Sequence, residues 1–230
     1  GARVGRMIAR DARGELGRTA LHEAAVWGVR AVVEGVLRYT QGWELPWGSE
    51  AAVGLLEVDP TLIDRDGRTP LTLAATHGHA DVVALLASPV ALTHHPHVPS
   101  CLRKRRAPAD VVNERDNGGL TALAHAAGLK AELLDIVRVL VAADGDVQLA
   151  DNNGDTPLHH ACRQRHVRLV GELLARDASP NARNAAGQTP LHLGVELGAL
   201  AIVKELLAAG AEPDKRDARG HTALHAAFRD

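Results

Sequence analysis

Thirteen histidines are the first place to look for chemistry in this 230-residue chain, because imidazole ligates metals and moves protons near neutral pH. The tightest set is His159, Cys162 and His166, at i, i+3 and i+7. On an unbroken helix these three would share a face and offer a nitrogen–sulfur set to zinc. His159, however, belongs to a pattern that recurs at His22, His192 and His225, and His166 falls where a second helix is expected to begin. The chain must turn between them, so the set reads as a core cysteine beside structural histidines. A second group, His94-His95-Pro96-His97 with Cys101, is broken by proline and matches no standard ligand spacing. No nucleophile–base set, Gly-rich phosphate loop or isolated carboxylate pair stands out. No catalytic residue, no metal and no cofactor is therefore expected.

Two further stretches could carry binding chemistry. Arg103, Lys104, Arg105 and Arg106 form a consecutive basic run, which reads either as a nuclear-import or anion-binding patch or as a solvated loop. Tyr39, Trp43 and Trp47 place three of the chain's five aromatics within nine residues. Such rings are favoured at binding hot spots, but they would equally serve as the local core of a loop that folds back on Ala51–Leu56.

The elements that must position these groups announce themselves by repetition. Gly154-Asp-Thr-Pro-Leu-His-His-Ala161 has counterparts after Gly17, Gly67, Gly119, Gly187 and Gly220, and the steps between these glycines are 50, 52, 35, 33 and 33 residues. In each unit Thr suits the helix N-cap and Pro the first helical position. The preceding Asp/Asn-x-x-Gly reads as a tight turn with glycine at positive φ. Apolar pairs four residues apart then mark a second helix, as in Leu169-Val170 with Leu173-Leu174 and Ile202-Val203 with Leu206-Leu207.

A base period of 33 with a T-P-L-H-x-A signature resembles the ankyrin-repeat family over nearly the whole chain. That resemblance implies an all-α solenoid of stacked helix-turn-helix units with β-turn or hairpin fingers, forming a single array over residues 1–230. The repeats are placed at about 14–37, 64–87, 116–141, 151–174, 184–207 and 217–230. Insertions fall at about 40–57 and 88–107, since Leu37 to Asp64 and Ala87 to Asp116 span 27 and 29 residues where Leu207 to Asp217 spans 10. The motif histidines are implied to bridge each turn to adjacent backbone. The sixth unit stops after one helix, which suggests a piece of a longer chain, as does an opening Gly1 in place of Met.

In ankyrin proteins the finger tips and the exposed face of the first helices line a groove that takes a protein partner. Carried onto this chain, the tips would be Arg65, Asp66, Asn117, Asn152, Asn153, Asp155, Gln188 and Arg219. The first helices would contribute Trp27, His77, His160, Arg163, Gln164 and Glu196. The polar cluster of repeat four, suited to an acidic or extended peptide, would be the groove's centre. The expected role is a non-catalytic adaptor, scaffold or inhibitor that contacts another protein through the groove and the two inserted loops, Trp43 and Trp47 included. Rival readings are a targeting or substrate-recruitment domain of a larger enzyme or channel, and an I-kappa-B-like regulator or nucleic-acid-associated protein.

Composition bounds these readings. A net charge of −2 argues against a general nucleic-acid surface. Hydrophobic content of 46% with 2% aromatics fits thin Ala/Leu/Val interfaces. Two cysteines are too few for a disulfide framework, which with the absence of an 18-residue apolar run points to a cytoplasmic and/or nuclear, monomeric protein.

Overall fold

The structure is a computed structural model that describes residues 16–39, 61–88, 108–131 and 133–227. It is helical: α1 (Ala20–Trp27), α2 (Arg30–Tyr39), α3 (Pro70–Thr76), α4 (Ala80–Leu86), α5 (Pro108–Val112), α6 (Ala122–Gly128), α7 (Leu134–Ala142), α8 (Pro157–Arg163), α9 (Val167–Leu174), α10 (Pro190–Glu196), α11 (Leu200–Ala208) and α12 (Ala223–Ala226). Among the described residues there is no strand, only an isolated antiparallel bridge between Arg216 and Thr222.

Each first helix starts where the sequence places its cap. Thr69 and Thr121 are extended, and their side chains accept from Thr72 N and Ala124 N at 3.2 Å in both cases. Thr19, Thr156, Thr189 and Thr222 are paired with a histidine three residues on. Pro70, Pro157 and Pro190 occupy the first helical turn, where a missing N–H costs nothing. Three of the second helices, α7, α9 and α11, are closed by a residue at positive φ: Asp144, Asp177 and Gly210. At Gly210 this is +85°, which lets Ala211 N reach Leu206 O at 2.9 Å.

First helices stack in order α1, α3, α6, α8, α10, α12, and second helices pack α2 on α4, α4 on α7 and α9 on α11. Small residues allow the close approach: Ala24, Ala25, Ala74, Ala75, Ala126, Ala127 and Ala161 are all buried. The leucine one residue into α1, α3, α6, α8 and α10 (Leu21, Leu71, Leu123, Leu158, Leu191) is buried, whereas its counterpart Leu224 in α12 is 66% exposed; Val82, Ile136, Leu169 and Ile202 are buried on the second helices. One continuous core runs through all of them, so neighbouring repeats stabilise one another.

One element had no place in the sequence reading. Between the second inserted stretch and Asp116, Pro108–Val112 forms the short helix α5. Val111 and Val112 are buried, and Val112 belongs to the continuous core. Pro at the start, Asp110 in the first turn and a Val pair carried that signal. It was hidden because the segment falls outside the 33-residue period.

Candidate functional site

The fingers are built by side chains that fold the turn back on itself. Asp64 Oδ1 accepts from Asp66 N and Arg68 N, both at 2.9 Å. Asp116, Asp151 and Asp217 repeat this pattern, and Asn184 Oδ1 accepts from Gln188 N at 2.9 Å. The turn glycine is at φ +78° in Gly67, and a Cβ there would lie 2.8 Å from Asn117 N. Only glycine lets the next finger approach this closely.

Successive fingers are then tied edge to edge. Arg65 N donates to Leu16 O, Asn117 N to Asp66 O, Asn152 N to Gly118 O, Ala185 N to Asn153 O and Ala218 N to Ala186 O, at 2.8–3.0 Å. The amide side chains of Asn117 and Asn152 add bonds to Arg65 O and Asn117 O, each 2.9 Å. Arg115 and Arg183 clamp two fingers each, donating to Gly119 O and Ala150 O, and to Gly187 O and Arg216 O. These arginine clamps were missed from sequence. An Arg directly before the turn Asp/Asn at Arg115, Arg183 and Arg216 was the available signal.

The motif histidines do bridge the turn to neighbouring backbone. His159 Nδ1 accepts from Thr156 N at 3.2 Å and lies 2.9 Å from the Thr156 hydroxyl, while Nε2 donates to Gln188 O at 3.1 Å. His22 and His192 do the same with Arg68 O and His221 O. This geometry requires a neutral ring with the proton on Nε2. Burial pushes the pKa of His22 and His159 below 6.5, outweighing the backbone carbonyls.

The His159, Cys162 and His166 set is dispersed as expected. His159 lies in α8, while His166 precedes α9 and donates to Lys130 O at 3.2 Å. Burial raises the Cys162 thiol to about 12, so no thiolate is offered. Among the described residues one group, Asp151, Asp155 and His160, has metal-ligating atoms within 4.8 Å of one another. Those atoms are already engaged. Asp151 Oδ2 holds His160 Nε2 at 3.1 Å, and Asp155 takes Asn184 Nδ2 at 2.9 Å and Arg163 at 3.0 Å. Burial opposes the Asp155 charge, but Asn184 and Arg163 more than offset it and hold its carboxyl below 3.8.

The remaining sequence-chosen residues separate into presented and committed groups. Trp27 is 67% exposed at the end of α1. Arg65, Asp66, His77, Asn117, Asn152, Asn153, Arg163, Glu196 and Arg219 are exposed, and His160, Gln164 and Gln188 half-buried. Gln188 Nε2 meets Glu196 at 3.3 Å, and Asp66 is paired with Arg68. Asp155 is a correction: it is 5% exposed and turned inward onto Asn184 and Arg163, so it does not present its carboxylate at the tip. Its place in Gly-Asp-Thr-Pro conceals this, because its direction is set by Asn184 of the next repeat and by Arg163. Arg165, in the same repeat-four cluster, takes φ +62° where Gly28, Gly78 and Gly198 stand, and its guanidinium bonds Leu197 O. Trp43, Trp47 and the run Arg103, Lys104, Arg105 and Arg106 lie outside the described residues, as do His94, His95, His97 and Cys101.

Comparisons with known proteins agree with this architecture. A family model of ankyrin repeats, in three copies, matches residues 47–151, 94–184, 130–217 and 172–230. The poly [ADP-ribose] polymerase tankyrase of Caenorhabditis elegans is 31% identical over a match covering 46% of this chain and 6% of that protein. The chain thus spans a small part of that relative. The ankyrin repeat domain of Bcl-3, described as a unique member of the IkappaB protein family, superposes with a TM-score of 0.69 at 23% identity. That match covers 98% of this chain and 86% of the other, and at such identity it speaks for the fold alone. Among the described residues no helix is long and apolar enough to cross a membrane. Repeats of this kind are protein-interaction modules, and this chain belongs to the ankyrin-repeat family.

Proposed function

We propose that the chain is a non-catalytic recognition module whose partner is another protein, held along the finger tips and first helices. The observation that carries this reading is a set of fingers hydrogen-bonded edge to edge with exposed side chains at their tips. The finger backbones are bonded to one another at 2.8–3.0 Å, whereas Arg65, Asn153 and Arg219 remain exposed at their tips. A surface ordered before binding loses little entropy on association. Trp27, 67% exposed at the end of α1, is the natural anchor. In repeat four, His160 is paired with Asp151 and Arg163 with Asp155, so the groove's centre offers hydrogen bonding more than free charge. This favours an extended polar peptide over a strongly acidic one. Adaptor, scaffold and inhibitor roles all use such a surface, in the cytoplasm and/or nucleus, with Arg103–Arg106 as the candidate import signal.

A second reading is supported by one observation. The matching stretch of the tankyrase is 6% of a protein that bears an enzyme's name, so this array would equally serve as the recruitment segment of a larger enzyme.

The test is affinity capture from cell lysate with four baits: the intact chain, deletions of 40–57 and of 88–107, and a Trp27→Ala, Asn153→Ala, Arg219→Ala variant. Loss of a captured protein with the triple variant alone supports the groove. Loss with a deletion alone moves recognition to the insertions and overturns it.

A further inference from the structure

Four of the five repeat boundaries carry a histidine that reaches into the neighbouring repeat. The first has two, His22 to Arg68 O at 3.1 Å and His79 to Val26 O at 2.9 Å. The third has His166 to Lys130 O at 3.2 Å, the fourth His159 to Gln188 O at 3.1 Å, and the fifth His192 to His221 O at 3.1 Å. The second boundary differs. Thr72 stands where His22 and His159 stand elsewhere, and its hydroxyl meets Thr69 at 3.1 Å within its own repeat. Leu133 stands where His79 and His166 stand. Among the described residues, no histidine crosses between repeats two and three.

An open groove of about 330 Å³ lies at the same place. Gly78 and Ala80 of repeat two line it with Leu133, Leu134 and Arg138 of repeat three and Arg168 of repeat four. Among the described residues, these repeats meet through apolar packing of α3 on α6 and α4 on α7 and through the finger bonds of Asn117 to Asp66 O and Arg65 O. Repeat arrays behave as chains of units coupled through their interfaces, so a boundary with fewer buried polar ties opens first.

We propose that this boundary is the joint of the stack: residues 16–88 part from residues 108–227 as one unit, and once parted lose the neighbour that keeps their helices folded, while the later repeats remain closed. Trp27 and His77 then sit on one body, and Asn152, Asn153, Gln188 and Glu196 on the other. A partner gripping both sets would fix the angle of the joint. That consequence rests on the partner surface proposed above, whereas the opening itself does not.

Amide hydrogen exchange on the intact chain tests it without any partner. Amides in α1, α3 and α4 are expected to exchange together, at least about tenfold faster than those in α8 and α10. Equal rates throughout would overturn the proposal, as would fast exchange confined to repeat one. Thr72→His, copying the residue found in four other repeats, is expected to slow exchange of residues 16–88 several-fold. No slowing in a folded Thr72→His chain would contradict the joint. His166→Leu, copying Leu133, is expected to create a comparable break at the third boundary, and its absence would also count against the mechanism.

Discussion

Thr156 and His159 hold one another in place: the hydroxyl lies 2.9 Å from Nδ1, and the same nitrogen accepts the Thr156 backbone N–H at 3.2 Å. The opposite face of the ring reaches Gln188 O in the next repeat. One side chain thus caps a helix, shapes a finger and couples two repeats. His159→Ala removes all three contacts and leaves a void at a site with no solvent exposure. The expected loss is about 2–4 kcal/mol in urea unfolding. A loss below about 1 kcal/mol would show that the ring is a bystander.

The neutral state of these rings dictates the response to acid. His22, His159 and His160 have folded pKa values lowered from 6.5, each mainly by burial. The unfolded chain therefore binds their protons at higher pH than the folded chain does. Their contribution is complete above about 6.5 and is lost as pH falls below it. Asp155, lowered from 3.8, adds a further loss in stronger acid. Thermal melts at pH 7.5 and 5.5 are expected to show the lower Tm at 5.5, and an unchanged or higher Tm there would refute neutral rings.

Leu173 lies on α9, fully buried in the continuous core. Leu173→Ala is expected to cost about 2–5 kcal/mol. A variant melting like the parent would mean the register of the second helices is misplaced.

Gly194 occupies the buried α10 position that Ala161 fills in α8. A Cβ built there meets Val203 at 3.4 Å and Ile202 at 3.5 Å, ordinary contact distances. Gly194→Ala is expected to stabilise the protein by about 0.5–1 kcal/mol, through helix propensity and a filled gap. Destabilisation would show that α10 needs the closer approach.

The repeats were legible because their physics is local and periodic. Gly154, Thr156 and Pro157 act within a few residues, and their roles follow from caps and turns alone. Asp155 was misjudged because its inward direction depends on Asn184, twenty-nine residues away and in another repeat. The His125–Asp116 pair, 2.7 Å between Nε2 and Oδ2, also went unseen. It joins a finger to its own helix across the turn, as His160 does with Asp151 one repeat later. Helix α5 was lost at the edge of a stretch that breaks the repeat. Local rules fix the modules, while the surface between modules is decided by contacts that only stacking creates.

The most direct measurement of the central claim is hydrogen exchange of the complex with whichever protein the intact chain captures, compared with the free chain. New protection is expected at the finger amides of residues 65–67, 117–119 and 152–154 and at the ends of α1, α3 and α8. Protection confined to the second helices α4, α7, α9 and α11 would contradict recognition through the fingers and first helices.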